Sequence, residues 1–241
     1  MVKNKKQARA TRVCFMPSDK NGILFVEKKF EFNFYGGFDI SQKRKTIAAF
    51  HEAIIKSNPN LTVLEISSKS PSQTGIDLSA FHLQYDNGDG HYYTVENIYQ
   101  SSKIFENGGP FMDLLHCSPS AAKRDERLKN SGSLIYFKFN DEIWELEPKS
   151  AFYDYIYLKA LCQPQNKKLQ EALLNFSVFT DIEFNQTKSI NCQARSSAIF
   201  VSLSLQGLLN GALQNSDSFK AVYKQINFAN SMLAAQYSLL K

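Results

Sequence analysis

Eight charged residues along the chain have the side-chain types needed to cleave a glycosidic bond. They are four carboxylates and four lysines beside apolar segments: Glu96, Asp154, Asp181, Glu183, Lys43, Lys45, Lys103 and Lys188. A carboxylic acid can protonate or deprotonate the leaving atom. A lysine in a desolvated pocket can attack a carbonyl carbon and form a Schiff base. The sequence contains no Walker loop, dinucleotide fingerprint or G-x-S-x-G elbow that would indicate a different chemistry.

One capped helix brings three of the polar candidates together. Thr94 is a suitable N-cap residue, and Asn107–Pro110 supplies glycines and a proline that end a helix. Glu96, Gln100 and Lys103 follow at i, i+4 and i+7, while apolar side chains occupy the opposite face. Periodicity alone is typical of a solvated polar stripe. The alternative is that the stripe faces a cleft.

Composition limits the class of protein. The chain has 241 residues, 43% of them apolar and 13% aromatic, with a net charge of +5. A mildly basic chain is compatible with a nucleic acid or a phosphorylated substrate. Its four cysteines form no C-x-x-C pair, so we expect neither a zinc site nor a disulfide framework. It has no signal-like apolar segment and no run of 18 apolar residues, which favours a cytoplasmic protein.

The sequence predicts a mixture of strands and helices, which must position the candidate residues. Strands are predicted at 13–16, 23–35, 61–66, 78–85, 91–93, 133–139, 142–147 and 178–184, and helices at about 39–56, 94–110, 111–115, 118–130, 151–161, 166–175, 194–213 and 218–240. Residues 1–11 are expected to form a disordered basic N-terminus, and 12–241 a single domain. The polar stretch 67–77 is predicted to be a loop.

Two elements carry charges in unusual places. The helix predicted at 39–56 has Lys43, Arg44 and Lys45 in its first turns, where cations oppose the helix dipole. Either an anionic ligand or a solvated face accounts for them. The nearly apolar helix 151–161 contains Asp154, and a buried carboxylate needs a partner. That partner is either a structural Tyr or Arg, or a group in a functional site.

Several segments carry a resemblance to one known family. They are V-E-N-I-Y-Q-S-S-K-I-F (95–105), A-A-K-R-D-E-R (121–127), F-Y-D-Y-I-Y-L-K-A-L (152–161) and F-T-D-I-E-F-N with K-S-I-N-C-Q-A-R (179–195). In order and spacing they resemble the NADAR family. F-Y-G-G-F-D-I-S-Q-K-R-K-T-I (34–47) and L-E-I-S-S-K-S (64–70) are similar to its branch that acts as antitoxin to DNA-modifying DarT ADP-ribosyltransferases.

The resemblance implies a fold and an activity. The fold would be α+β and predominantly helical, of the YbiA-like NADAR type, with short β-hairpins at one side. The activity would be an N-glycosidase that removes ADP-ribose from guanine bases of DNA and so reverses the modification made by the toxin. It would use neither a metal nor another cofactor. Its partners would be ADP-ribosylated DNA and a cognate DarT-type toxin, with no membrane.

The resemblance also implies roles for particular residues. The helix pattern E-x-x-x-Q-x-x-K falls on this chain at Glu96, Gln100 and Lys103, which makes Glu96 the acid/base. Lys43 would be the nucleophile that holds the opened ribose as an imine, with Lys45 as the second choice. Lys103 and Asp181 would support them. The ADP-ribose pocket would be formed by Ser67, Ser68, Phe81, Tyr99, Gln100, Tyr153 and Asn191.

Some positions depart from the family pattern and leave alternatives open. Where the wider family has D-x-x-W-G, this chain has Ser189–Gln193. Glu183 can take the late acidic position in place of Asp181, and Trp144 suits either a functional or a core role. At the level of function, the alternatives are a non-catalytic module that binds ADP-ribose, nucleic acid or the toxin, and an N-glycosidase acting on a small phosphorylated riboside.

Overall fold

The structure is a computed structural model that describes residues 8–37, 39–187 and 189–224. The strands are β1 (Arg9–Met16), β2 (Val26–Asn33), β3 (Val63–Glu65), β4 (Gln84–Asp86), β5 (Tyr92–Thr94), β6 (Lys103–Phe105), β7 (Leu134–Phe139), β8 (Glu142–Glu145) and β9 (Val178–Thr180). The α-helices are α1 (Ile40–Ser57), α2 (Gln73–Asp77), α3 (Val95–Ser101), α4 (Pro119–Arg124), α5 (Arg127–Asn130), α6 (Ala151–Leu161), α7 (Lys167–Leu173), α8 (Gln193–Leu205) and α9 (Leu209–Ala212). Short 3-10 turns lie at Met112–His116 and Pro164–Asn166.

The fold class is α+β, as predicted. In the described part of the chain helices hold 43% of the residues and strands 20%, which does not fully confirm the description as predominantly helical. Within the described residues, no helix is both long enough and apolar enough to cross a bilayer.

A four-stranded sheet has the order β2-β1-β9-β3, so that β9 lies between two strands from the N-terminal part of the chain. β1 and β2 are antiparallel, whereas β3 and β9 run parallel. The alternating phenylalanines of β2 place Phe32 against Phe50 of α1, with ring centroids 4.6 Å apart. This period-2 pattern is what buries one face of a strand, and it holds α1 against the sheet.

The larger core surrounds α6 and α8. Nearly every side chain of α6 is buried, as its continuous apolar sequence predicts. Trp144 of β8 belongs to this core and packs on Tyr155 with ring centroids 4.6 Å apart. Of the two roles left open for Trp144, the structure shows the core role.

The capped helix is shorter than predicted, and this changes how its polar residues are placed. Thr94 is the N-cap, and its hydroxyl accepts from the Asn97 amide at 3.2 Å. The helix ends at Ser101, and Lys103–Phe105 forms β6 instead. β6 pairs with β7, with Lys103 opposite Phe137. The prediction of a helix that continues to the stop at Asn107–Pro110 was wrong, because this long-range pairing competes with the local periodicity.

Both ends of the chain also differ from expectation. Residues 9–11, predicted as part of a disordered N-terminus, pair with β2 in β1. Residues 1–7 lie outside the described part. The predicted helix 194–213 is divided, because α8 ends at Leu205 and Gly207 has φ +68°. A helix follows at 216–224, and 225–241 lie outside the described residues. The assignment of 12–241 to a single domain, like the YbiA-like type, stays a prediction.

The turn regions agree closely with the sequence. Both predicted hairpins form, β4 with β5 and β7 with β8. The stretch 67–77, predicted as a loop, ends in the short helix α2. Gly75 in that helix is obligatory, because a Cβ there would lie 2.0 Å from the Glu65 carbonyl oxygen. This close approach fixes the stretch against β3.

Candidate functional site

A cleft of about 530 Å³ opens between α3, the β6–β7 edge, the start of α6 and the segment before α8. We call it the cleft. It is lined by Glu96, Tyr99, Gln100, Lys103, Lys123, Leu134, Phe137, Glu145, Leu146, Glu147, Pro148, Lys149, Ser150, Phe152, Tyr153, Ser189, Ile190 and Asn191. An aromatic wall with convergent polar groups is typical of a small-molecule site.

A chain of hydrogen bonds crosses one side of the cleft. Lys103 Nζ donates to Gln100 Oε1 at 2.7 Å, and Gln100 Nε2 donates to Glu96 Oε1 at 2.8 Å. The Glu96 residue is 5% exposed, and its backbone amide donates to the Ala80 carbonyl oxygen at 2.9 Å. Gln100 therefore fixes the carboxylate and the amine relative to each other.

The environment of Lys103 favours its neutral amine. Burial lowers its pKa from 10.5 to about 8; the Glu96 carboxylate opposes this shift, and the Lys123 ammonium adds to it. Lys103 Nζ lies 4.7 Å from the centroid of the Tyr99 ring. At neutral pH roughly one Lys103 side chain in ten is a free amine, a far larger fraction than for an ordinary lysine.

A second cation reaches Glu96 from α4. Lys123 Nζ lies 3.9 Å from Glu96 Oε1 and 5.1 Å from the centroid of the Phe81 ring. Its side chain is 57% exposed, so the pair contributes little to stability. The Lys123 ammonium therefore lies near both the Glu96 carboxylate and the Phe81 ring.

Two tyrosines, Tyr99 of α3 and Tyr153 of α6, also line the cleft, with ring centroids 5.3 Å apart. Burial raises the pKa of Tyr99 to about 12, while the Asn191 amide, a hydrogen-bonding neighbour of the phenol, opposes the shift. Burial, and then the Glu96 charge, raises the pKa of Tyr153 well above its usual value. Both phenols are therefore protonated and can donate hydrogen bonds to a ligand.

A buried polar group lies under the end of β3, separate from the cleft lining. Glu65 accepts from Ser67 Oγ at 2.8 Å, from Thr180 Oγ1 at 2.6 Å and from the Ile182 amide at 2.8 Å. His51 Nε2 contacts the same Thr180 hydroxyl at 2.9 Å. Burial raises the pKa of Glu65 and lowers that of His51 to about 4.

Asp181 and Lys43 border this second group. Burial, and next the Glu65 charge, raises the pKa of Asp181 well above its usual range. Asp181 Oδ1 accepts from the Glu183 amide at 3.0 Å, and the Glu183 carboxylate pairs with Lys43 Nζ at 3.0 Å. Asp181 and Glu96 both raise the pKa of Tyr153.

A family model described as the DarT1-associated NADAR antitoxin matches residues 10–232. The chain belongs to this family. The match spans most of the sequence, so the resemblance read from its segments is confirmed. Membership makes the protein an antitoxin associated with a DarT-type toxin. Among curated proteins, none matches the chain.

Most of the predicted site residues of this NADAR antitoxin lie in one of two places. The cleft brings together Glu96, Tyr99, Gln100, Lys103, Tyr153 and Asn191. Lys43, Ser67 and Asp181 belong to the second group, and Phe81 lies beside Lys123. Lys45 is exposed and Ser68 half-buried, and neither lines the cleft. Lys188 lies outside the described residues. The functional roles of all these residues stay predictions.

Asp154 has a structural environment. It is fully buried and binds Arg195 Nη2 at 3.0 Å, Ser196 Oγ at 2.5 Å and the Tyr223 hydroxyl. Of the two alternatives for this carboxylate, the structure shows the structural partners.

Sequence reasoning missed two charged residues near the antitoxin's candidate site. Lys123 reaches Glu96 only because α4 packs beside α3, and no spacing in the chain indicates that approach. Glu65 sits at the end of a short strand, directly before the hydroxyl-rich stretch. A carboxylate in an otherwise apolar strand is a usable signal, because it must find partners when the strand is buried.

Proposed function

We propose that this antitoxin is a hydrolase that removes ADP-ribose from guanine bases of DNA and so reverses the modification made by its toxin. The observation that carries the proposal is the buried Glu96 carboxylate, held by Gln100 beside the desolvated Lys103 in a cleft. Membership of the DarT1-associated NADAR antitoxin family supports a role in counteracting a DarT-type toxin. The resemblance of the sequence segments to the NADAR branch supports ADP-ribosylated guanine in DNA as the substrate.

Glu96 is proposed as the acid and base of the reaction. Glu96 protonates the ring oxygen as the ribose ring opens, which leaves a protonated imine between C1 and the guanine amine. A lysine amine adds to C1, the Glu96 carboxylate carries the proton from the lysine nitrogen to the guanine nitrogen, and the guanine amine departs, leaving a protonated lysine imine. Water then adds to that imine with Glu96 as base, which releases ADP-ribose and restores the lysine. The net change is the addition of one water across the bond from C1 to nitrogen.

The resemblance assigns the imine-forming role to Lys43, and the proposal keeps that assignment. Lys43 Nζ is paired with Glu183 at 3.0 Å and does not line the cleft. It must leave that pair to attack a ribose carbon near Glu96. Lys103 already lies in the cleft with a lowered pKa. The two lysines therefore make different predictions for a trapping experiment.

The primary test uses DNA carrying ADP-ribosylated guanine and measures released ADP-ribose. Wild-type protein should release it, and Glu96→Gln should lower the rate by about 10²–10⁴ while retaining ADP-ribose binding. Glu145→Gln is the matched control, because Glu145 also lines the cleft but is exposed. An absence of release by the wild type would refute the hydrolase. Binding of modified DNA without turnover would indicate a binding module instead.

The second test identifies the lysine. Borohydride reduces an imine to a stable amine, so turnover in its presence should leave a covalent protein–ribose adduct. The adduct should be lost in Lys43→Ala and persist in Lys103→Ala. The reverse pattern assigns the role to Lys103, and loss only in Lys45→Ala assigns it to Lys45. Release from a small phosphorylated N-riboside, with none from modified DNA, would point to a free riboside as the substrate.

A further inference from the structure

One wall of the cleft lacks regular secondary structure. Ser189, Ile190 and Asn191 all line the cleft, and they lie in the loop before α8. Such a segment has no helix or strand ladder to position it, so its contacts with its surroundings hold it in place. Two side chains donate to the Ile190 carbonyl oxygen: Arg195 Nη1 at 2.9 Å and Ser150 Oγ at 3.3 Å.

The Arg195 guanidinium is itself held from behind. Its Nη2 binds Asp154 Oδ2 at 3.0 Å, and its side chain is 12% exposed against 0% for Asp154. Without Arg195, the fully buried Asp154 carboxylate would keep, among the described residues, only its hydroxyl partners Ser196 and Tyr223, and a buried charge that loses its charged partner is strongly destabilising. The planar guanidinium directs Nη2 at the Asp154 carboxylate and Nη1 at the Ile190 carbonyl oxygen of the cleft wall. A lysine has no second nitrogen with which to do this.

We propose that Arg195 is a positioning residue that holds the cleft wall 189–191 in place for ADP-ribose. Arg195 does not line the cleft, so it acts through the Ile190 carbonyl. The same wall carries Asn191, which lines the cleft together with Tyr99. The identity of the ligand rests on the proposed function, whereas the mechanical role of Arg195 does not.

The test compares Arg195→Lys with Tyr223→Phe. Arg195→Lys keeps the positive charge beside Asp154 and removes the shorter of the two hydrogen bonds to the Ile190 carbonyl oxygen, leaving the one from Ser150. Tyr223→Phe removes a hydrogen bond from the same carboxylate and leaves Arg195 in place. Both variants weaken the surroundings of Asp154, so both should lower the melting temperature. Only Arg195→Lys should change the cleft wall.

Two measurements report on the cleft wall: hydrogen exchange of its amides and the affinity for ADP-ribose. Amide hydrogen exchange at residues 189–191 of the free protein should rise by about tenfold in Arg195→Lys and stay unchanged in Tyr223→Phe, as expected for the loss of one hydrogen bond to a loop. The dissociation constant of ADP-ribose should rise by about fivefold to tenfold in Arg195→Lys alone. In a hydrolysis assay, KM should rise while kcat stays within about twofold, since Glu96 is held by other elements.

Several results would overturn the role of Arg195. Unchanged exchange in Arg195→Lys, or an equal rise in Tyr223→Phe, would show that Arg195 only stabilises the fold. A loss of kcat with KM unchanged would place it in the chemistry. If the wild type binds ADP-ribose but releases none from DNA, the proposed function fails while the role of Arg195 stands. If it does not bind ADP-ribose, the exchange measurement alone decides.

Discussion

Replacing Lys103 by methionine should stabilise the protein at neutral pH, although it removes a central residue of the cleft. Burial lowers the pKa of Lys103 from 10.5 to about 8. The folded state therefore holds a proton at neutral pH that it binds less tightly than the unfolded chain does. At about 1.4 kcal/mol per pKa unit, this costs the folded state roughly 3 kcal/mol.

Lys103→Met removes this cost, but it also removes the hydrogen bond from Lys103 Nζ to Gln100 Oε1. An unpaired amide oxygen costs about 1 kcal/mol. Lys103→Met should therefore raise the free energy of unfolding by about 2 kcal/mol at pH 7. In a domain of this size that corresponds to roughly 4–8 °C in the melting temperature. Activity should fall, because a lysine kept at a cost in stability is typical of a functional site.

The pH dependence separates this mechanism from better packing. For a lysine whose pKa is lowered in the folded state, the penalty is complete below pH 8 and disappears as pH rises from about 8 to 10.5. The stability difference between Lys103→Met and the wild type should shrink across that window. Thermal unfolding of both proteins at pH 7 and at roughly pH 10 measures it. Lys149→Met is the control, since Lys149 lines the same cleft but is 65% exposed. An equal gain at both pH values, or an equal gain in the control, would refute the reasoning.

Three further predictions follow from the same structure. Glu96→Gln should lower the pKa of Lys103 below 8, because the Glu96 charge raises it; side-chain NMR titration would show the change. Burial holds the pKa of His51 near 4, so stability should be lost as pH falls from 6.5 to about 4, and His51→Gln should flatten this profile in urea unfolding. Gly75→Ala should destabilise by about 3 kcal/mol or more, since its Cβ would collide with backbone, whereas Gly211→Ala, in open space on a helix, should stabilise by up to about 1 kcal/mol.

Local patterns predicted the elements whose stability is local. The continuous apolar run of α6 was predicted at Ala151–Leu161 and forms at those bounds, because a buried helix needs no partner-specific pattern. The turns at Asp86–Gly90 and Asn140–Asp141 produced the predicted hairpins; both Asn140 and Asp141 have positive φ. Asn, Asp and Gly adopt that conformation at low cost, so these turns can be predicted from the sequence.

The end of α3 could not be predicted in this way. Residues 102–105 continue a plausible helical period, but Lys103–Phe105 instead pairs with β7 some thirty residues further along the chain. Strand pairing over such a separation leaves no local signal. The same limit applies to the cleft wall, where Arg195 reaches Asp154 across 41 positions of sequence.

The predicted contact of Glu96, Gln100 and Lys103 nevertheless survived this error. Gln100 follows Glu96 by four residues within α3, which is the helical spacing that joins their side chains. Lys103 follows Gln100 by three residues, after the helix has ended, and still reaches its amide from the first residue of β6. The change from helix to strand gives Lys103 a second set of neighbours on β7, opposite Phe137. Lys103 and Phe137 both line the cleft, and burial there lowers the pKa of Lys103, which makes Lys103 the alternative to Lys43 in the trapping experiment.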